Sequence, residues 1–85
     1  MPRGWPPLSK RELLAILTAL NFSYDKSAGG HDFYVAEHGG RRWKITVDQK
    51  ITTFGPELLQ SMCKQPGYGR VAFYGATKAT AAKIK

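Results

Sequence analysis

Residues 27–34 read Ser27-Ala28-Gly29-Gly30-His31-Asp32-Phe33-Tyr34, a glycine pair followed at once by a histidine and an aromatic run. Adjacent glycines admit backbone conformations that a Cβ disfavours, so a sharp reversal fits at 27–30. The residue after such a turn opens a strand, which places the His31 imidazole at the rim of a sheet. The flanking segments agree. Phe22-Ser23-Tyr24-Asp25-Lys26 alternates apolar with polar, and His31–Glu37 is rich in aromatic and β-branched residues. His38-Gly39-Gly40 is a second glycine turn. After it Arg41–Asp48 alternates again, with Trp43, Ile45 and Val47 on one face and Arg42, Lys44 and Thr46 on the other. Three short strands joined by glycine turns describe an antiparallel meander. The middle strand has apolar residues on both faces, so the pattern leaves open whether Phe33 or Tyr34 points inward.

Helices flank the meander. Ser9-Lys10-Arg11-Glu12 has capping-box spacing. Beyond it Leu13, Ile16, Leu17 and Leu20 recur at one-face helical intervals, with Leu14 widening the stripe, and Asn21 suits a left-handed C′ position. The spacing predicts a helix over 10–20. On the other side Lys50–Phe54 is a connector. Gly55-Pro56-Glu57 then opens a second helix, whose buried face is Leu58, Leu59, Met62 and Cys63, and Pro66-Gly67 ends it. The order α-β-β-β-α over residues 9–67 predicts a small two-layer α+β domain: a three-stranded antiparallel sheet with two helices on one face. Residues 1–8 form an extended, proline-stiffened lead. Residues 68–85 form a basic tail in which Arg70-Val71-Ala72-Phe73-Tyr74 offers a further strand. Residues 70–85 carry four cations and no acid, which reads as a frayed, solvated tail or as a phosphate-seeking arm.

Eighty-five residues allow one domain with a modest core. Thirteen Lys and Arg against six Asp and Glu give a net charge of +7, which favours a polyanionic partner, either nucleic acid or an acidic protein surface. No basic amphipathic helix of the interfacial type and no bilayer-spanning run is seen, and the N-terminal stretch lacks the apolar core of a signal peptide, so the expected address is the cytoplasm and no membrane is involved. The single cysteine, Cys63, excludes an internal disulfide and fits a reducing compartment.

Several patterns carry no chemistry. His31, His38 and Cys63 lack ligand spacing, so no metal is expected. Cys63 falls on a core face with Leu59 and Met62 and is a poor nucleophile. His38 reads as a solvated turn residue. Gly67-Tyr68-Gly69-Arg70-Val71-Ala72 matches a dinucleotide fingerprint only superficially, with no room for a βαβ unit.

The order α-β-β-β-α, taken with Gly29-Gly30-His31-Asp32-Phe33-Tyr34, resembles the HicA toxin family of bacterial toxin–antitoxin modules. The shared pattern is a glycine, a small residue, a histidine and an aromatic three positions later: here Gly29, Gly30, His31 and Tyr34. Ile45-Thr46-Val47 through the connector and Gly55-Pro56-Glu57-Leu58-Leu59-Gln60-Ser61-Met62-Cys63-Lys64-Gln65 is similar to that family's third strand and second helix. The resemblance covers about residues 9–67. It implies a fold similar to the double-stranded RNA-binding domain and cleavage of mRNA without metal or any small-molecule cofactor. It also implies neutralisation by a HicB-like antitoxin protein that covers the histidine. Serine usually precedes the histidine in that family, where this chain has Gly30.

Such a reaction needs a base for the 2′-hydroxyl proton, positive charge on the phosphate and an acid for the leaving oxygen. Histidine titrates near neutrality and suits the proton transfers, which assigns them to His31. If the third strand pairs with the second, Arg42 and Lys44 fall on the side of His31 and reach the phosphate, with Lys26 the other candidate. Lys10, Arg11 and Arg41 join them as residues that track an RNA backbone, beside the turn glycines Gly29 and Gly30. The rival readings are a non-catalytic RNA-binding module of the same fold and a domain that binds an acidic protein.

Overall fold

Ser9 caps the first helix as its spacing requires. In the computed structural model, which describes residues 4–64 and 66–84 and only the backbone of His38, the Ser9 hydroxyl accepts from the Glu12 N–H at 3.2 Å and the Glu12 carboxylate from the Ser9 N–H at 2.9 Å. Helix α1 therefore runs Lys10–Ala19. It stops because Asn21 takes a left-handed φ of 68°. The Phe22 and Asn21 N–H groups then donate back to the Leu17 and Thr18 carbonyls at 2.8 and 3.0 Å, a Schellman closure. Ser9→Ala removes one half of the reciprocal cap and is expected to lower stability by about 1 kcal/mol, read as a shift of the urea midpoint with an unchanged slope.

The meander follows: β2 Ser23–Ala28, β3 His31–His38 and β4 Arg41–Asp48, in spatial order β2-β3-β4. Both reversals are two-residue loops whose glycines have positive φ, 59° and 82° at Gly29 and Gly30, 61° and 74° at Gly39 and Gly40, the mirror-type turn that matches strand twist. A bulge between Tyr24 and Lys26 shifts the β2–β3 register. Two shorter strands, β1 Leu8–Ser9 and β5 Thr53–Phe54, form a separate antiparallel pair that ties the entry of α1 to the connector. Helix α2 spans Pro56–Lys64.

One face of the three-stranded sheet meets the helices. Ala36, Ile45 and Val47 join Leu13, Ile16 and Leu17 of α1 and Leu59 and Cys63 of α2 in a single buried cluster. Tyr34 packs against that cluster whereas Phe33 and Val35 lie outside it, which resolves the middle strand: Tyr34 inward, Phe33 outward.

The C-terminal segment departs from expectation. Arg70–Tyr74 is a helix, α3, not a strand, and Lys78–Ala81 is another, α4, closed by a 3-10 turn at Ala82–Ile84. Nor is it a frayed tail. Phe73 and Tyr74 are fully buried in the common core, the Tyr74 hydroxyl donates to the Pro6 carbonyl at 2.5 Å, and Trp5 packs its ring against both aromatics, tilted on Phe73 and edge-on to Tyr74. Lys83 pairs with Glu12 of α1 at 3.4 Å. Two adjacent buried aromatics contradict the period-two alternation of a half-buried strand, and burial against Leu8 and Trp5 overrides the β-propensity of Val71, Phe73 and Tyr74. Trp5 and Pro6 are held in place by the same aromatics.

Candidate functional site

The face of the sheet turned away from the helices is the candidate site. Across β3 and β4, His31 stands opposite Asp48, Phe33 opposite Thr46, Val35 opposite Lys44 and Glu37 opposite Arg42. Across β2 and β3, Lys26 stands opposite Phe33 and Ala28 opposite His31. Directly paired residues share a face, so His31, Phe33, Lys26, Lys44 and Asp48 occupy one surface.

The corner that carries His31 is pinned from behind. The Gln49 N–H donates to the Gly30 carbonyl at 2.9 Å, which fastens the turn to the end of β4. On the helix side, Asp32 accepts from the Ser27 hydroxyl at 2.5 Å and from the Gln49 amide at 2.7 Å. These hydrogen bonds hold the Asp32 carboxyl below the usual aspartate range. Because the folded carboxyl titrates below its unfolded value, the tie is fully present above that range and is lost as the pH falls below it, through the lowered value of the folded carboxyl. A serine at position 30 would have to adopt the φ of 82° that Gly30 takes, so glycine here and the tight turn belong together.

His31 is half-exposed. Its Nε2 lies 3.9 Å from the Asp48 carboxylate, with side-chain exposures of 46% and 38%, so both groups are open to solvent on this face. Asp48 is itself held by the Lys50 N–H at 2.9 Å. Lys44 runs from its place opposite Val35 back toward His31 and sets its Nζ 4.7 Å above the Phe33 ring, a contact worth about 0.5–1 kcal/mol at an exposed site. Among the described residues neither Lys26 nor Lys44 lies within ion-pair distance of a carboxylate.

The other expected cations are dispersed. Lys10 reaches the same end of the sheet from α1, its Nζ 3.4 Å from the Gln49 carbonyl. Arg11 is exposed on α1. Arg42 shares the face of His31 but lies six residues from Asp48 along β4, about 20 Å, and sits 4.0 Å from Asp25. It does not reach a phosphate held at His31. Arg41 is on the helix side, 5.0 Å above the Trp43 ring. The reading of His38 concerns a side chain outside those described. Cys63 is buried and desolvation pushes its thiol up to about 12, which leaves it inert as a nucleophile at neutral pH. A cleft of 580 Å³ lined by Trp5, Gln60, Cys63, Lys64 and Tyr68 shares no residue with the sheet face.

Two site residues escape pattern reading, Asp48 and Phe33. Asp48 was within reach of simple counting: a two-residue loop at 39–40 makes the numbers of paired positions sum to 79, which sets Asp48 against His31.

No helix among the described residues is long and apolar enough to cross a membrane, and among the described residues no three His, Cys, Asp or Glu side chains converge. No protein family model, curated protein or solved structure matches the chain.

Proposed function

We propose that the chain is a HicA-like toxin, an endoribonuclease that cleaves mRNA in the cytoplasm by acid–base catalysis at His31. The observation that carries this reading is the setting of His31: half-exposed, 3.9 Å from the Asp48 carboxylate, on a sheet face that the helices leave uncovered. The net charge of +7 supports a polyanionic substrate.

The imidazole takes the proton of a ribose 2′-hydroxyl. The 2′-oxygen bonds to the neighbouring phosphorus as the bond to the 5′-oxygen breaks, and the imidazolium returns its proton to that leaving oxygen. The products end in a 2′,3′-cyclic phosphate and a 5′-hydroxyl. Asp48 acts as a positioning residue beside the imidazole, and Lys26 and Lys44 supply positive charge to the RNA backbone. A HicB-like antitoxin that covers this face is the partner the reading calls for.

Gly30 favours a second reading. Where the resembled family has a serine hydroxyl this chain has none, which fits an RNA-binding module of the same fold that has lost the reaction. Induction of the chain in a bacterial host tests the two. Growth arrest with loss of mRNA, and purified protein that leaves cyclic-phosphate ends in the presence of a chelator, are the expected results; normal growth and intact RNA would move the assignment to the binding module.

Either reading needs Lys10, Lys26 and Lys44 to meet phosphates. The logarithm of the RNA-binding constant is then expected to fall with the logarithm of salt concentration with a slope of about −2 to −3, from about 0.7–0.9 per phosphate neutralised. A flat response in an anisotropy titration would make these lysines ordinary solvated surface.

A further inference from the structure

We infer that the substrate crosses this face as a single strand, with the base beside the scissile bond stacked on the ring of Phe33. The inference rests on the nuclease reading and names its substrate class. Phe33 is an aromatic side chain on the face away from the core, outside the buried cluster that takes Tyr34. The side chain drawn over its ring is a lysine, Lys44, at 4.7 Å, a flexible cation that a base can displace and whose ammonium is then free for a phosphate. His31 and Phe33 are two residues apart on one strand, about 7 Å, so a base on the ring brings the adjoining ribose and phosphate to the imidazole. Lys26, directly opposite Phe33, flanks the ring from β2.

Charge confines the track to this end of the sheet. Arg42 is compensated by Asp25 at 4.0 Å and faces Glu37 across the strand pair, whereas Lys26 and Lys44 beside Phe33 are not ion-paired among the described residues. A duplex offers this arrangement little. Its bases are stacked on one another and present no π-face to a side chain. Its helical backbone also keeps the 2′-oxygen out of line with the leaving 5′-oxygen, which in-line displacement at phosphorus requires. A splayed strand meets both demands, and an aromatic flanked by cations is the usual platform for one.

The test uses the full chain and a 2′-O-methyl RNA octamer, which lacks the attacking hydroxyl, offered alone and annealed to its complement. The single strand is expected to bind at least tenfold more tightly than the duplex. Phe33→Leu should weaken that binding roughly 5- to 150-fold, the loss of one stacked base at about 1–3 kcal/mol, whereas Phe33→Trp should retain it. With cleavable RNA, Phe33→Leu should raise KM. Equal binding of duplex and single strand, or Phe33→Leu within twofold of the parent, would overturn the inference even if the parent cleaves RNA. Single-stranded binding that depends on Phe33 in a protein that never cleaves would support the platform and overturn the nuclease reading alone.

Discussion

Purified His31→Ala protein is expected to unfold at the same urea concentration as the parent and to cleave RNA about 10²–10⁴-fold more slowly. Stability should hold because the side chain contributes little to it. Its exposure is 46%, and its charged contact is the 3.9 Å approach to Asp48, itself 38% exposed. The strand register through Ala28 and Asp48 is carried by the backbone. Changes at such surface positions usually stay within about 0.5 kcal/mol. The rate is another matter. In the proposed reaction one imidazole both removes and returns the proton, and Asp48 beside it is a poor donor to a leaving alkoxide. A loss of 10²–10⁴ corresponds to about 2.7–5.5 kcal/mol of transition-state stabilisation. In cells the same variant should relieve growth arrest and preserve mRNA. Cleavage within tenfold of the parent would remove His31 from the chemistry, and the face would then be a binding surface only.

The residues that made this site legible in the sequence are those whose constraint is local. The Ser9–Glu12 cap, the left-handed Asn21 and the glycine pairs act within a few residues of themselves, and helix α1, the second turn and strand β4 lie where the pattern puts them, while the first turn narrows from 27–30 to Gly29-Gly30 because β2 runs on to Ala28. The alternation of Arg42, Lys44 and Thr46 against Trp43, Ile45 and Val47 likewise gives the two faces of β4 correctly. What periodicity misses is set by tertiary packing. Phe33 and Tyr34 are both apolar, so the pleat direction of β3 is unmarked until Tyr34 meets the core. Phasing from the second turn would have fixed it, since it pairs Tyr34 with the inward Ile45. Arg41 looks like one more strand cation, yet the same pleat turns it toward Trp43. The β1–β5 pair is two residues long on each side, too short for any alternation to show.

The C-terminal segment was opaque for a related reason, and it yields the second large effect. Phe73→Ala is expected to cost about 3–5 kcal/mol, the range for deleting a buried aromatic. Against about 5–15 kcal/mol for a domain, that leaves a protein close to its unfolding threshold. A five-residue helix has too few turns to display a 3.6 period, so sequence pattern ranks Phe73 no higher than Val71. Burial separates them: Phe73 is fully buried and Val71 is 70% exposed. The Phe73 ring lies 6.2 Å from that of Trp5 and 5.8 Å from that of Tyr74, and Arg70 Nε donates to the Gly4 carbonyl at 2.7 Å. Removing the ring therefore opens a cavity in the common core and loosens the hold on Trp5 at once. Val71→Ala, on the same helix, should change stability by less than about 0.5 kcal/mol and serves as the control. Urea unfolding of the two variants decides the matter. If Phe73→Ala unfolds like Val71→Ala, residues 70–84 are an appendage and the aromatic cluster contributes nothing to the fold. If it falls as expected while its residual folded fraction still binds RNA with the parent's affinity, the C-terminal helices brace the scaffold from the side opposite His31 and take no part in its chemistry.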